Sequence, residues 1–248
     1  MIKLNVNIDH VATLRQSRLG LYPDPLEAAK IVRESGANGV VMHLREDRRH
    51  VQDDDLVRFK KHPLLKKFHL NLEMAPTKEM FLIANEIKPN VITLVPEKRK
   101  ELTTEGGLNI KKNSRILKSR LKNLNPSIKV MLFIDPVKTQ IDASINLGLK
   151  SLGSGLIHGV ELNTGKYAEI KYRQNREREI KKLKLAAEYA YTKGLYVAAG
   201  HGLSVHNLIW LTSIPQIMEY NIGHSIIGDS VFFGLKESIK RIQDIIRR

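Results

Sequence analysis

Several ionisable residues of this chain directly follow, or lie within, short apolar runs. The stretch "VVMHLREDRRH" (40–50) passes from an apolar segment straight into His43, Arg45 and His50, and Glu73 lies inside "LNLEMA". Burying an unpaired carboxylate is costly, so we expect Glu73 to be functional or hydrogen-bonded. Histidine and glutamate whose pKa values are tuned by such surroundings are suited to general acid–base catalysis.

Two glycine-containing motifs near the end of the chain favour phosphate binding. They are "GHG" at 200–202 and "NIGHSIIG" at 221–228. Glycine allows a backbone to approach an anion closely, and the N–H groups at a helix start attract negative charge. Each motif is short and weak alone, so the prediction depends on where the two lie in the fold.

Eight short β-rich runs alternate with amphipathic helical patterns and must position these residues. Several runs are continuously apolar, as is typical of parallel strands covered on both faces. In 248 residues, eight such units predict one domain over 1–248, an α/β (β/α)8 barrel (TIM barrel) with extra helices. A doubly wound open sheet is the alternative, but no Gly-rich dinucleotide loop follows the first run. The runs are 2–8, 39–44, 68–74, 90–96, 129–135, 159–164, 195–200 and 219–224.

A barrel of this kind carries its active site at the carboxyl ends of the strands. The polar residues of this chain follow that rule, while the opposite ends carry mostly Gly, Lys or Asn. Solvated surface charges would fall at both ends, so the one-sided clustering favours an active site over a merely structural role. The residues concerned are Asn7, Asp9 and His10, then His43 and Arg45, then Glu73, Glu161, His201 and His224.

The helical patterns carry start and stop residues. One helix is predicted to begin at the cap Asp24 with Pro25 in its first position, and another at the cap Thr77. The segment 231–248 predicts one helix that closes the chain. The segment 108–128 is helical in character, but its pattern sets no boundaries.

The charge balance would suit two kinds of partner. Lys and Arg number 41 against 26 Asp and Glu, a net charge of +15, which attracts nucleic acids and small anionic substrates alike. The basic residues are spread along the chain, with a local cluster at 171–184. We therefore expect phosphorylated small molecules as substrates and no nucleic-acid partner.

Missing residue types and segments narrow the function further. The chain has no cysteine, which excludes disulfides, thiolate metal sites and thiol nucleophiles. It has no apolar run of the roughly 20 residues that a membrane helix needs. The start "MIKLNVNIDH" lacks the features of a signal peptide. We expect a cytoplasmic protein with no membrane association.

Three kinds of chemistry compete for these residues. A divalent metal would be held by histidines, but the candidates are scattered one per strand and form no His-x-His pair. A Schiff base would need a buried lysine at a strand end, and Lys98 and Lys166 lie in loops. Metal-free acid–base chemistry on phosphorylated substrates, carried by His and Glu, fits best.

Six longer motifs resemble those of the pyridoxine 5'-phosphate synthase family, in order and over nearly the whole chain. They are "NVNIDHVATLRQSR", "HLREDRRH", "NLEMA", "LVPEKRKELTTEGG", "AAGHGL" and "NIGHSIIG". The resemblance implies a (β/α)8 barrel, usually a homooctamer, in vitamin B6 biosynthesis. It implies condensation of 1-deoxy-D-xylulose 5-phosphate with 3-amino-2-oxopropyl phosphate to pyridoxine 5'-phosphate, inorganic phosphate and water, with no metal or organic cofactor.

The resemblance also implies residue roles. His43 and Glu73 would accept protons, His201 would donate one, and Glu161 is similar to a stabilising glutamate of the family. The amino-ketone phosphate would be held by Asn7, Arg18, Gly202, Gly223 and His224. The pentulose phosphate would be held by Asp9, His10, Arg45, His50 and Thr103.

The chain departs from the family pattern at two strand positions. Asn163 stands where the family commonly has His, which removes any proton role but leaves hydrogen bonding. Ala198 stands where Asn is common, and the segments 108–128 and 149–158 look longer or drifted. The alternatives to the family's activity are another phosphosugar-handling barrel enzyme, such as an isomerase, and a basic nucleic-acid-binding protein.

Overall fold

Eight parallel strands close into a barrel in chain order, each paired with the next and β8 with β1. The structure, a computed structural model, describes residues 2–97, 106–148, 157–170 and 172–247. The predicted (β/α)8 barrel is confirmed, and each predicted strand agrees with the observed one to within two residues at either end. The strands are β1 Lys3–Asn7, β2 Gly39–Leu44, β3 His69–Met74, β4 Val91–Leu94, β5 Lys129–Ile134, β6 Gly159–Asn163, β7 Tyr196–Gly200 and β8 Glu219–Ile222.

Helices surround the barrel, and their starts agree with the capping residues read from the sequence. Asp24 accepts a hydrogen bond from the backbone of Leu26, and Thr77 accepts one from Met80. No helix in the described ranges is long and apolar enough to span a bilayer. The helices are α1 Asp9–Gln16, α2 Pro25–Glu34, α3 Asp53–Lys61, α4 Lys78–Ile87, α5 Ile110–Leu121, α6 Lys138–Asn146, α7 Gly165–Ala168, α8 Arg173–Thr192, α9 His224–Phe233 and α10 Leu235–Ile246, with a 3-10 turn at Leu208–Trp210.

The end of the chain differs from the prediction of one closing helix. Gly234 has a φ of 77°, a backbone conformation that glycine adopts without strain. It separates α9 from α10, and α9 begins at His224 rather than near Val231. The prediction of a continuous helix was wrong because a helical pattern does not show which glycine takes the left-handed conformation.

The two faces of each strand have different surroundings. Outward side chains such as Leu72, Val160 and Val197 are fully buried in one large apolar core between strands and helices. Inside the barrel, a separate and much smaller apolar cluster contains Val91, Met131 and Ala198. The remaining inward positions are largely polar.

Candidate active site

Strand register places His43 beside Glu73. The two residues are direct partners on β2 and β3, so their side chains leave the same face of the sheet at the barrel mouth. His43 Nδ1 lies 3.8 Å from Glu73 Oε2, and the side chains are 7% and 17% exposed. The two proposed proton acceptors therefore lie side by side at the carboxyl ends of adjacent strands.

Glu97, just beyond β4, is a site residue that the sequence reasoning missed. Its Oε1 lies 2.8 Å from His43 Nε2, and its Oε2 accepts a hydrogen bond from the Glu46 backbone N–H at 3.0 Å. Burial disfavours ionisation of Glu97, but the bond to and charge of His43, the N–H of Glu46 and the charge of Arg45 together outweigh it. The pKa of Glu97 therefore lies below its ordinary value. The signal was available, because Glu97 is the first ionisable residue after the fourth strand.

Three carboxyl groups inside the barrel have raised pKa values, those of Glu73, Glu161 and Glu219. Burial, reinforced by the charges of Glu161 and Asp9, raises the pKa of Glu73 well above its ordinary value. Burial likewise raises the pKa of Glu161 to about 8, although a hydrogen bond from Asn221 opposes the shift. Because of these shifts, Glu161 can hold a proton near neutral pH, and Glu73 binds a proton more tightly than an ordinary carboxyl group does.

A glycine makes room for one of these carboxyl groups. A Cβ on Gly200 would lie 2.1 Å from Glu161 Oε1, which is far closer than any non-bonded contact. Gly200 is therefore required at this position on β7 if Glu161 is to keep its orientation.

Asp9 connects β1 to β2 through its buried carboxylate. One oxygen accepts the backbone N–H of His43 at 2.8 Å, and the other accepts from Asn7 Nδ2 at 2.7 Å. His50 packs edge-on against His43 with ring centroids 5.7 Å apart, and burial lowers the pKa of His50. Arg45 is buried beside this group. The proposed base His43 thus lies together with Asp9, Arg45 and His50, three residues proposed to hold the pentulose phosphate.

This group also contains a set of metal-ligand types. Asp9, His43 and His50 each offer one ligand atom, all within 4.8 Å of one another. Two imidazoles and one carboxylate are a donor set that transition-metal cations use. They are the residues that could hold a divalent cation here, while the expectation of metal-free chemistry stays a prediction.

The glycine motifs lie at the ends of β7 and β8. His201 and Gly202 have φ values of 83° and 75°, and strain of this kind at a non-glycine residue is common at functional sites. Burial lowers the pKa of His201. A Cβ on Gly223 would lie 2.7 Å from the Cβ of Asn7. Position 223 therefore needs a glycine, because the end of β1 packs directly against it.

His10 and His224 bring the two predicted substrate groups into contact. His10 Nε2 lies 3.2 Å from His224 Nδ1, and burial together with the neighbouring His224 lowers the pKa of His10. His10 Nδ1 is buried and has no hydrogen-bond partner among the described residues. Such an atom is suited to a ligand contact.

Two predicted residues stand apart from this cluster. Arg18 is exposed on the segment that follows α1, and the structure does not place it among the buried site residues. Thr103 lies outside the described residues. The charges next to Arg45 form ion pairs, with Arg49 bound to Asp47 at 2.6 Å and Arg48 to Asp53 at 2.7 Å.

The two departures from the family pattern have structural consequences. Asn163 donates to Asp135 Oδ1 at 3.2 Å and accepts from the Gly165 backbone at 2.9 Å, so the position keeps hydrogen bonding without a titratable group. Ala198 lies between Glu161 and Glu219 in strand register and packs in the small apolar cluster inside the barrel. Neither substitution removes a contact of His43.

The fold and the site together define a class: a barrel enzyme with ionisable acid–base groups and glycine-containing loops at the carboxyl ends of its strands. Solved structures agree on the fold. KGPDC from Streptococcus mutans matches with a TM-score of 0.58 and 14% identity, covering 100% of this chain and 99% of that one. Phosphoribosyl anthranilate isomerase from Thermotoga maritima matches with a TM-score of 0.60 and 14% identity, covering 100% and 99%.

Sequence comparison assigns the family. The model of the pyridoxal phosphate biosynthesis protein PdxJ matches residues 4–248. The pyridoxine 5'-phosphate synthase of a Sulfurihydrogenibium species is 48% identical over 246 residues, which is 99% of this chain and 98% of that protein. The synthase of Coxiella burnetii is 47% identical over 247 residues, 99% and 98% of the two chains.

The chain belongs to the PdxJ family. Its activity is that of a pyridoxine 5'-phosphate synthase, in vitamin B6 biosynthesis.

Proposed function

We propose that this enzyme condenses 1-deoxy-D-xylulose 5-phosphate with 3-amino-2-oxopropyl phosphate, releasing inorganic phosphate and water as the pyridine ring closes. The observation that supports this best is the His43–Glu73 pair, which lies at the same barrel mouth as the two glycine motifs. Ring formation from two phosphorylated carbon chains needs repeated proton transfers beside bound anions, and this site offers both.

The pKa shifts favour the proposed roles of the acid–base groups. A carboxylate whose pKa is raised by burial is a stronger base once ionised, which suits Glu73 as a proton acceptor. An imidazolium whose pKa is lowered is a stronger acid, which suits His201 as a proton donor. Glu161 would stabilise intermediates by donating a hydrogen bond to them, since its carboxyl group holds a proton up to about pH 8.

The contact between His10 and His224 supports two adjacent subsites. The pentulose phosphate would lie against Asp9, His10, Arg45 and His50, and the amino-ketone phosphate against Asn7, Gly202, Gly223 and His224. Because the two histidines are in contact, the substrates would meet above them. Holding two reactants in this way removes much of the entropic barrier to their reaction. Arg18 and Thr103 are assigned to these subsites by the family resemblance alone.

The substrates themselves supply the nitrogen for imine chemistry. The amine of 3-amino-2-oxopropyl phosphate would attack the pentulose carbonyl and release water. A protein lysine or organic cofactor is then not needed for this step, so we propose that the enzyme uses none.

We also propose that the protein is a cytoplasmic homooctamer. Large apolar side chains are exposed after α1 and at the end of α9, two helices that pack against each other. Exposed apolar surface of this kind is typical of protein interfaces. The residues are Leu19, Leu21, Tyr22, Val231, Phe232 and Phe233. Light scattering of the purified protein tests the assembly, and a monomer at micromolar concentration would contradict it.

Incubation of the purified protein with both phosphates tests the activity. We expect pyridoxine 5'-phosphate, followed by its absorbance and by phosphate release, and no turnover of either substrate alone. The variant His43→Asn should lose product formation by about 100-fold or more. The control His62→Asn replaces a histidine at the C-terminal end of α3, on the opposite side of the barrel, and should match the parent. Conversion of the pentulose phosphate alone would indicate an isomerase instead.

A further inference from the structure

Glu97 and His43 form a buried carboxylate–imidazole pair that the proposed roles leave unexplained. Their side chains are only 5% and 7% exposed, and Oε1 lies 2.8 Å from Nε2. A carboxylate is costly to bury unless it is paired, so the hydrogen bond to His43 is what allows Glu97 to be buried. The residues are 54 positions apart and lie beyond β4 and at the end of β2, with the end of β3 between them.

The chemistry of the pair fixes which nitrogen of His43 carries a proton. An ionised carboxylate only accepts hydrogen bonds, so a neutral His43 must present Nε2–H to Glu97. Its Nδ1 then carries the lone pair. That atom faces Glu73 at 3.8 Å, a distance longer than a hydrogen bond, which leaves Nδ1 open to a substrate atom.

We propose that Glu97 is a positioning residue that holds His43 as the Nε2–H tautomer, with Nδ1 directed into the barrel mouth as the base. Carboxylate partners of this kind fix the tautomer and ring orientation of functional histidines elsewhere. The proposal rests on the function proposed above in one respect, namely that His43 accepts a proton during ring formation.

The second oxygen of Glu97 connects the base to a substrate-binding loop. It accepts the backbone N–H of Glu46 at 3.0 Å. Glu46 follows Arg45, which is proposed to hold a phosphate and whose Nε contacts Asp47 at 3.3 Å. One carboxylate thus sets both the tautomer of the base and the start of this loop, so its loss should affect turnover first and substrate affinity second.

Magic-angle-spinning NMR of the ¹⁵N-histidine-labelled full-length protein reads the tautomer directly. The His43 signals are identified by their absence in His43→Asn. In the parent at slightly alkaline pH, we expect Nε2 protonated and Nδ1 unprotonated. In Glu97→Leu, which accepts no hydrogen bond, this preference should be lost. In Glu97→Gln, the amide oxygen can still accept, so the Nε2–H tautomer should be largely kept.

Steady-state kinetics on the same proteins give the second measurement. We expect kcat to fall about 10- to 100-fold in Glu97→Leu, as for the loss of other groups that orient a functional histidine, with a smaller rise in KM for the pentulose phosphate. Glu97→Gln should recover part of kcat. The control Glu86→Gln removes an exposed glutamate of α4 and should match the parent in both measurements.

The outcomes separate the two proposals. An Nδ1–H tautomer in the parent, or an unchanged tautomer and kcat in a folded Glu97→Leu, would overturn the positioning role. If Glu97→Leu fails to fold, Glu97→Gln is measured in the same two ways. Loss of the His43 Nε2–H tautomer in Glu97→Gln without any change in kcat would contradict the proposal. A parent with the expected tautomer but no product would instead refute the proposed function and leave the tautomer assignment standing.

Discussion

The outward and inward faces of the barrel strands differ in almost every physical respect. On β3, Leu70 and Leu72 point outward and are fully buried among apolar side chains, while Asn71 and Glu73 alternate with them and point inward. The outward face repeats this apolar character on the other strands. The inward face carries amides, carboxyls and the imidazoles of His43 and His69, with a small apolar cluster in the middle.

The outward face therefore stabilises the fold, and the inward face carries the groups for the chemistry. Barrel interiors are commonly filled by layers of branched apolar side chains, whereas this interior buries polar groups that cost free energy. One pair of these groups is Thr93 and Asn71, bonded at 2.8 Å, and another is Asn221 and Glu161 at 2.7 Å. The outward core must offset the cost, so substitutions on the two faces should have opposite consequences.

The largest effect is expected on the inward face, from Glu73→Gln. The substitution keeps the shape of the side chain and removes its ability to accept a proton, so product formation should fall by about 100- to 10,000-fold. The melting temperature should stay the same or rise, since a buried carboxyl is replaced by a neutral amide. A variant that keeps most of its activity would show that Glu73 is not a base.

The neighbouring residue on the outward face should behave in the opposite way. Leu72 is fully buried, and Leu72→Ala should lower the free energy of unfolding by about 2–5 kcal/mol through lost burial and a cavity. The folded fraction should turn over at nearly the parental rate. Urea unfolding and kcat per folded molecule measure the two quantities. Loss of activity without loss of stability would contradict the division between the faces.

The strands, and the clustering of His43 and Glu73 at one end of the barrel, could be predicted from the sequence because each strand and the polar residue near its end are local features. Parallel strands that end in polar residues bring those residues together at one edge, whatever the intervening helices do. Arg18 shows the limit of this reasoning: it follows a short helix, α1, which was not predicted, and it is exposed.

Glu97 could not be paired with His43 from the sequence. β4 ends at Leu94, and the path of the chain through Val95 and Pro96 decides which strand end the carboxylate reaches. A spacing pattern contains no such information. The same limit applies to Gly234, whose left-handed backbone divides the last helical segment in two.

A glycine pair tests how tightly the inward face is packed. Gly200→Ala would force a Cβ against Glu161, and we expect a loss of about 1–3 kcal/mol in stability together with reduced activity. Gly228→Ala is the matched control, because nothing lies within 4 Å of its Cβ position in α9, and it should stabilise by about 0.5–1 kcal/mol. Equal effects of the two substitutions on the melting temperature would refute this account of Gly200.

The effect that is most gradual in its onset is a pH dependence of stability that comes from Glu161. Its pKa is about 8 in the folded protein against an ordinary 4.5. Between these values the folded state binds more protons than the unfolded state, so the free energy of unfolding should fall as pH rises, by up to about 1.4 kcal/mol per pH unit. Above the folded-state value the contribution should be constant.

Glu161→Gln removes this contribution, together with the part of the Glu73 shift that comes from the charge of Glu161. Urea unfolding of parent and variant at about pH 5, 6 and 7 should therefore show a stability difference that grows with pH in favour of the variant. The exposed-site variant Glu86→Gln should follow the parent. Parallel curves for parent and Glu161→Gln would mean that Glu161 is ionised throughout this pH range. The inward face would then tolerate a buried charge, and the contrast between the two faces would be weaker than the burial of Glu161 implies.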